Sequence, residues 1–236
     1  MTANLLAQTP PEPDCVVLLH GIGLRGYMMR RLENALRRDG YRVVNISYPS
    51  RKMSFEQLAG EYLPAQLLTH DTGRAPRLHF VTHSMGSLLV RYHLQHARPA
   101  NLGRVVMLGP PNHGSTAADK AKENTLLRRF LGENLARLGT GDEAIVRQLG
   151  PADFEVGIIA GRVSINPLFR RTLGEENDGA VTVQSARLEG MGGFLVVPYS
   201  HTVMLWRREV IEQVQAYLRT GKFKAKPRPQ RPPKGA

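Results

Sequence analysis

The chain has 236 residues, a formal charge of +12 at pH 7 and 42% hydrophobic residues. This hydrophobic content excludes a disordered chain, and the length suits one domain with a sizeable core. The longest aliphatic stretch near the N-terminus, Val16 to Leu19, is far too short to span a bilayer. Residues 1–13 read as an extension without an export signal, and the single cysteine, Cys15, excludes an internal disulfide. We therefore expect a cytoplasmic protein.

Apolar strands alternate with helical patterns along residues 14–220. Continuously apolar strands of this kind are typical of a parallel sheet covered by helices on both faces. We therefore expect an α/β fold with a mostly parallel six-stranded sheet and a ligand site beyond the carboxyl ends of the strands. The predicted strands are residues 14–19, 42–47, 78–82, 104–108, 155–160 and 194–197. The predicted helices are residues 27–38, 54–68 with a disturbance at Pro64, 84–97, and a last helix whose apolar face includes Val203, Trp206, Val210 and Leu218.

Residues 115–150 interrupt this alternation, because connections between a strand and the next element are usually short. An apolar stripe runs from Leu126 to Leu138 against arginines and Glu133. The stripe fits either an ordinary helix packed on the core or a helical cap inserted over the site. The position of the insertion favours the cap.

Residues 221–236 form a basic, proline-rich tail. Six cations and no acid lie between Lys222 and Ala236, which leaves a charge of +6 for the other 221 residues. Four prolines in the same stretch predict an extended, disordered segment. Such a tail either solubilises the protein or makes peripheral contact with an anionic membrane. No pattern of aromatic and basic residues suggests base stacking, so nucleic acid is not an expected partner.

The most informative motif is residues 82–86, Thr-His-Ser-Met-Gly. An apolar run precedes it and a helical pattern follows, which predicts a strand, a sharp turn that carries Ser84, and a helix. Such a turn exposes the Ser84 hydroxyl and points the first amides of the helix at the same place. The alternative is a serine that merely begins a helix. The neighbouring Gly86 and the position on the turn favour a nucleophile.

A serine nucleophile needs a base and an acid that orients the base. His201 follows the last predicted strand, and the other seven histidines fall on strand ends, helix faces or other loops. In the loop after strand 155–160, Glu175, Glu176 and Asp178 compete for the acid. An Asp-Gly pair is also a common turn, so this loop alone leaves the choice of acid open. The chain order Ser84, Asp178, His201 is the order expected for a triad on this type of sheet.

Five segments in this order carry a resemblance to a known family: residues 20–22 (His-Gly-Ile), 82–86, 110–115 (Pro-Pro-Asn-His-Gly-Ser), 177–179 (Asn-Asp-Gly) and 200–202 (Ser-His-Thr). With them, the chain resembles an α/β-hydrolase close to the bacterial lipases and lipase-like esterases. The resemblance spans residues 14 to 218. It implies an α/β-hydrolase fold and a carboxylic ester or lipid as the substrate.

The resemblance also implies a role for each matching residue. Ser84 would be the nucleophile, His201 the general base and Asp178 the orienting acid. The backbone N–H groups of Ile22 and Met85 would form the oxyanion hole. Candidates for the substrate pocket are three histidines and three apolar residues: His20, His83, His113, Leu127, Phe130 and Leu131. Each histidine has a structural role as its alternative.

Two positions depart from the family pattern. Thr82 stands where lipases usually have glycine or alanine, which predicts strain or a shifted helix. Val203 stands where calcium-dependent lipases have aspartate, so no structural calcium is expected. We expect no metal and no cofactor. A thioesterase, an acyltransferase with the same triad, or a non-catalytic lipid-binding protein on this scaffold stays open as an alternative function.

Overall fold

A parallel sheet lies at the centre of the fold in the computed structural model, which describes residues 12–164 and 176–225. Its strands are Cys15–Leu19 (β1), Arg42–Ile46 (β2), Leu78–His83 (β3), Leu102–Leu108 (β4), Val156–Gly161 (β5) and Gly193–Val197 (β6). They lie in the order β2-β1-β3-β4-β5-β6, and every neighbouring pair is parallel. This confirms the predicted six-stranded sheet. Residues 1–11 of the extension and 226–236 of the tail lie outside the described residues.

Helices cover both faces of the sheet. One hydrophobic cluster packs the helix Met85–His96 and the segment 55–67 on one face, and a second packs the helices Arg30–Arg38 and Arg208–Thr220 on the other. Within the two described ranges, no helix is both long and apolar enough to cross a membrane. The helices are Arg30–Arg38 (α1), Phe55–Gln57 (α2), Leu63–Thr69 (α3), Met85–His96 (α4), Thr116–Glu123 (α5), Thr125–Leu131 (α6), Asn134–Arg137 (α7) and Arg208–Thr220 (α8). Shorter 3-10 turns are Gly26–Met29, Thr72–Arg74, Ile145–Gln148 and Val203–Trp206.

The predicted disturbance at Pro64 is a widened turn. Ser54 caps the start of α2 with a capping box, and a π-helical segment, Leu58–Tyr62, joins α2 to α3. Proline has no N–H to donate and its ring collides with the carbonyl four residues earlier. A wider turn immediately before Pro64 moves that carbonyl away, so the chain continues as a helix through Thr69.

The prediction of one continuous last helix is wrong at its start. Val203–Trp206 is a separate 3-10 turn, and Arg207 is extended with φ −81° and ψ 127° before α8 begins at Arg208. Trp206 is therefore not on the buried face of α8, and 38% of its surface is exposed. Val210, Val214 and Leu218 do lie on that face and are buried.

The insertion 115–150 contains three short helices instead of one long stripe. Gly132 has φ +80° and separates α6 from α7, because a left-handed residue cannot continue a right-handed helix. The apolar stripe from Leu126 to Leu138 is therefore divided between exposed and buried residues. Leu135 and Leu138 are buried in the core, whereas Leu126 and Phe130 are exposed. The insertion is thus partly core and partly an exposed helical element.

Arg91, on α4, ties the loop after β4 and the end of the insertion to the sheet. Its guanidinium is buried and donates to the backbone oxygen and Oδ1 of Asn112 at 3.3 and 3.1 Å. It also donates to the carbonyls of Leu149 (3.3 Å) and Gly150 (2.8 Å). Burial lowers the pKa of Arg91 to about 10, so the side chain is charged at neutral pH. Four hydrogen bonds satisfy the buried charge in place of a carboxylate.

We expect Arg91→Met to lower the free energy of unfolding by about 3 kcal/mol, because it leaves buried oxygens of Asn112, Leu149 and Gly150 without a donor. Arg98→Met is the matched control, since Arg98 makes an exposed ion pair with Asp153 and exposed pairs are worth about 0–1 kcal/mol. Urea unfolding of both variants measures the difference. Equal losses in the two variants would contradict this role for Arg91.

Candidate active site

Ser84 lies on a strained turn between β3 and α4. Its backbone has φ 52° and ψ −123°, a conformation that residues other than glycine rarely adopt. Such a residue costs about 1–3 kcal/mol and persists only when its surroundings hold it. The Ser84 N–H donates to the carbonyl of Leu108 at 3.0 Å, and the Ser84 carbonyl accepts from Ser87 at 2.9 Å. The strand–turn–helix predicted for residues 82–86 is therefore present, but Ser84 itself is buried, with 6% of its surface exposed, where the sequence predicted an exposed hydroxyl.

Gly86 lets α4 approach β1 closely enough to form this turn. A Cβ on Gly86 would lie 2.8 Å from the carbonyl oxygens of both Leu19 and His20, which are backbone atoms that cannot yield. The hydroxyl of the larger Thr82 has a partner, because its Oγ1 lies 2.8 Å from Oγ of Ser87 in the buried space between strand and helix. The small Ser87 thus accommodates the departure at Thr82.

The structure brings Asp178 and His201 together. The Nδ1–H of His201 donates to Oδ2 of Asp178 at 2.8 Å. Asp178 is buried, and its Oδ1 accepts from the N–H groups of Ala180 at 2.9 Å and Val181 at 2.8 Å. The Asp178 carbonyl also accepts from the His201 N–H at 2.9 Å. Three donors to the two side-chain oxygens satisfy the buried carboxyl group of Asp178 and fix its direction.

Gly109, immediately after β4, leaves space for Asp178 and His201 at the carboxyl edge of the sheet. A Cβ there would lie 3.0 Å from His201 Nδ1 and 3.1 Å from Asp178 Oδ2, and the residue has φ +55°. Gly109 follows Leu108, whose carbonyl accepts a hydrogen bond from the Ser84 N–H. The backbone of residues 108–109 therefore contacts both Ser84 and the pair of Asp178 and His201. Within the described residues, the Ser84 hydroxyl forms no hydrogen bond to His201.

The competing acids occupy different positions. Glu176 is exposed, and its Oε1 lies 3.5 Å from Nη1 of Arg162. Glu175 lies outside the described residues. Of the described histidines and carboxylates, no group of three is arranged to hold a metal ion.

His83, next to the serine, supports the backbone of His201. Its Nε2–H donates to the carbonyl of His201 at 2.9 Å, and the two rings lie 4.6 Å apart between centroids. Burial, and then the neighbouring His201, hold the pKa of His83 well below its ordinary value. A neutral ring that donates from Nε2 has a bare Nδ1, and this nitrogen is buried without a partner. The structure therefore makes His83 a buried support, and its contact with substrate stays a prediction.

His20 supports the loop that carries Ile22. Its ring stacks on Tyr48 with 4.2 Å between centroids and 3° between planes, and its Nδ1–H donates to the Gly21 carbonyl at 2.7 Å. The Tyr48 hydroxyl donates to the His20 carbonyl at 2.5 Å. Burial lowers the pKa of His20, so the ring is neutral and, like His83, buried away from solvent. Sequence reasoning missed Tyr48, whose only signal is its place at the end of β2.

The predicted oxyanion donors lie in positions where their N–H groups are not used by the fold. A Cβ on Gly21 would lie 3.1 Å from Cβ of Ser84, so the loop with Ile22 adjoins the serine. The turn there uses the N–H of Leu24, which donates to Gly21, and of Gly23, which donates to Oγ of Ser50. Neither of these two hydrogen bonds uses the Ile22 N–H. Met85 is the first residue of α4, where N–H groups have no partner within the helix.

The four remaining candidates for the substrate pocket lie in different parts of the structure. Leu131 reaches the loop that carries Ile22, because its Cδ2 is 2.9 Å from the position of a Cβ on Gly23. Phe130 is exposed, with the guanidinium of Arg51 4.9 Å above its ring. His113 lines a cavity of about 380 Å³ near the loop that follows Asp178, and the side chain of Leu127 lies outside the described residues. Leu131 is thus the candidate that reaches the site most directly.

Solved structures with this fold include several hydrolases. A lipase of Bacillus licheniformis, BlEst2, aligns with a TM-score of 0.68 at 21% identity and covers 90% of this chain and 93% of its own. The phospholipase PlaB of Legionella pneumophila aligns with a TM-score of 0.58 at 20% identity over 73% of this chain, which spans 45% of the phospholipase. The esterase Pf2001 of Pyrococcus furiosus aligns with a TM-score of 0.61 at 14% identity, covering 88% and 83% of the two chains.

A comparison with curated protein sequences gives no match. The sequence profile of the alpha/beta hydrolase family matches residues 16–222, from β1 to beyond the end of α8. The match includes every strand of the sheet and all the residues of the predicted triad. The chain therefore belongs to the alpha/beta hydrolase family.

Proposed function

We propose that this protein is a serine hydrolase of carboxylic esters, of the lipase or esterase type. The observation that carries the proposal is the buried pair of Asp178 and His201, joined at 2.8 Å beside the strained turn of Ser84. Burial of a carboxylate and strain in a backbone both cost stability, and strained residues cluster at functional sites, so the two features at one edge of the sheet support a catalytic role. The lipase, phospholipase and esterase that share the fold support acyl esters as the substrate class.

In the proposed mechanism, Ser84 Oγ attacks the acyl carbonyl while its proton passes to Nε2 of His201. Asp178 holds the proton on Nδ1, which leaves Nε2 free to accept, and its charge stabilises the imidazolium that forms. His201 then protonates the leaving alcohol, and an acyl-enzyme on Ser84 remains. Water deprotonated by His201 attacks this ester, which releases the acid and restores the serine.

The oxyanion of each tetrahedral intermediate would be bound by the N–H groups of Ile22 and Met85. Both lie next to Ser84 in sequence or in space, and neither is engaged by the surrounding fold. Donors fixed in place before the reaction stabilise developing charge without reorganisation, which is worth about 3 kcal/mol for one donor. The stacked rings of His20 and Tyr48 would keep the Ile22 loop in position.

The bond between the Ser84 hydroxyl and His201 has to form before attack. Hydrogen bonds of this kind are often long or poorly aligned in an unliganded hydrolase and tighten with the substrate bound. The His201 ring is 17% exposed and is held at Nδ1 by Asp178, and its backbone is held by Asp178 and His83. The adjustment that forms the bond to Ser84 must therefore keep the contact between His201 and Asp178.

Thioesters and acyl transfer share this chemistry, and a non-catalytic lipid-binding protein would share the fold. A series of nitrophenyl esters of increasing acyl length, run beside acyl thioesters, separates these alternatives. We expect ester turnover, with a preference for medium or longer chains because Leu131 and the insertion border the site. Turnover of thioesters alone would favour a thioesterase, and no turnover of either would favour a binding protein.

We expect Ser84→Ala to lower kcat on a nitrophenyl ester by about a millionfold, because the nucleophile is lost. Ser87→Ala is the matched control, since it removes a buried hydroxyl from the same helix. A fluorophosphonate followed by mass spectrometry should label Ser84 in the wild type and in the Ser87 variant. Adducts on another residue, or a Ser84 variant with a tenth of the wild-type turnover, would refute the assignment.

Asp178→Asn should lower kcat by about ten-thousandfold, because an amide no longer keeps the proton on Nδ1 of His201. Glu176→Gln, in the same loop but exposed, is expected to stay within about twofold. Steady-state kinetics of the two variants, with circular dichroism to verify folding, tests the choice of acid. A larger loss in the Glu176 variant would transfer the role to that residue.

His83→Leu should lower kcat by about tenfold or more with little change in KM, because His201 loses the donor to its carbonyl and can shift. Gln has an N–H at nearly the same distance along the side chain, so His83→Gln should recover most of the loss. The comparison distinguishes a positioning role from simple core packing. Two variants that lose activity equally would indicate that volume alone matters.

A further inference from the structure

A cleft of about 520 Å³ lies next to the catalytic edge, between two 3-10 turns. One turn, Gly26–Met29, follows the loop that carries Ile22, and the other, Val203–Trp206, follows His201. Each turn thus continues directly from a segment of the candidate site. We call this feature the Tyr27–Trp206 cleft; its lining residues are Tyr27, Arg30, Arg31, Val203, Trp206 and Arg207.

The cleft is strongly cationic, since three of its six lining residues are arginines and none is acidic. Arg31 donates to the Trp206 carbonyl at 3.0 Å, and the guanidinium of Arg207 lies 5.0 Å from the centre of the Tyr199 ring. None of the three arginines forms an ion pair with any described residue. The acidic residues of the two flanking helices already have other partners: Glu33 accepts from Arg37, Glu209 from Tyr199 and Glu212 from Arg208.

The cleft also exposes two aromatic rings. Tyr27 is 64% exposed and Trp206 is 38% exposed, although large apolar side chains are usually buried in the core. Tyrosine and tryptophan are the residues enriched where a bilayer's headgroups meet its hydrocarbon, because each has an apolar ring and a polar atom. Arginine is the cation best suited to phosphate, which it binds with two parallel N–H donors.

We propose that the Tyr27–Trp206 cleft docks on the surface of an anionic phospholipid bilayer. Lipid phosphates lie against Arg30, Arg31 and Arg207, and the rings of Tyr27 and Trp206 enter the headgroup boundary. The charge of the cleft complements that surface, and no carboxylate of its own competes for the arginines. Docking through this cleft brings the edge that carries His201 towards the lipid. The proposal does not rest on ester hydrolysis.

The basic tail is the rival explanation for any binding to anionic vesicles. Trp206 separates the two, because it is the only tryptophan in the sequence. Its fluorescence therefore reports on the cleft and not on the tail. A protein tethered by its tail alone binds vesicles with unchanged emission from Trp206, whereas docking through the cleft shifts the emission to shorter wavelength.

The test uses the full chain with Ser84→Ala, so that vesicle lipids stay intact whatever the catalytic activity. It is mixed with vesicles of phosphatidylcholine alone or of equal amounts of phosphatidylcholine and phosphatidylglycerol. We expect a blue shift of Trp206 emission, and quenching by brominated phosphatidylcholine, with the anionic vesicles only. Co-sedimentation without a shift assigns binding to the tail, and the absence of binding also overturns the proposal. The same shift with soluble glycerol phosphate would make the cleft a site for a free phosphate.

Matched pairs of substitutions then locate the contact. Arg30→Gln with Arg207→Gln should weaken binding to the anionic vesicles by about tenfold. Arg74→Gln with Arg77→Gln removes the same charge from exposed positions before β3, at the opposite edge of the sheet, and should change binding by less than about twofold. Equal weakening by the two pairs would mean that net charge alone drives binding, and the cleft would have no special role.

Discussion

The buried carboxylate of Asp178 is the constraint on which the arrangement of the site depends. A charge removed from water must be matched by donors, and here two backbone N–H groups take one oxygen while an imidazole takes the other. The loop after β5 has to curl back on itself to supply the amides, and the loop after β6 has to supply His201. Gly109 leaves the space in which the two loops meet. The direction of the His201 ring therefore follows from the position at which the Asp178 carboxylate finds its hydrogen-bond donors.

Much of this arrangement follows from patterns that are local in the sequence. An apolar strand, a serine before a small residue and a helical stripe define the turn at Ser84, because each of these signals acts within a few residues. All-apolar strands that alternate with helices define a parallel sheet, and a parallel sheet places all its carboxyl ends at one edge. Ser84 and His201 could be chosen as candidates from the sequence for this reason, whereas Asp178 and the Ile22 loop also needed the resemblance to a known family.

Features that depend on contacts between distant segments could not be predicted in the same way. Tyr48 lies under His20 because β2 and β1 are neighbours in the sheet, and no periodicity in the sequence records this stacking. Arg91 looks like one more polar residue on a helix until the loops at Asn112 and Gly150 fold over it. The extended backbone of Arg207 interrupts a stripe whose spacing is helical on both sides. Periodicity predicts the conformation of a segment taken alone, whereas the positions of Tyr48, Arg91 and Arg207 depend on contacts with distant segments.

The division of the insertion at Gly132 has a consequence for how this scaffold can change over evolutionary time. One part, α7 with Leu135 and Leu138, is committed to the core and constrained by it. The other, α6, presents Leu126 and Phe130 outward while only Leu131 reaches the Ile22 loop. Mutations on the outer side of α6 therefore alter this exposed surface at little thermodynamic cost. In the proposed hydrolase, the sequence of this surface can therefore drift while Ser84, Asp178 and His201 stay unchanged.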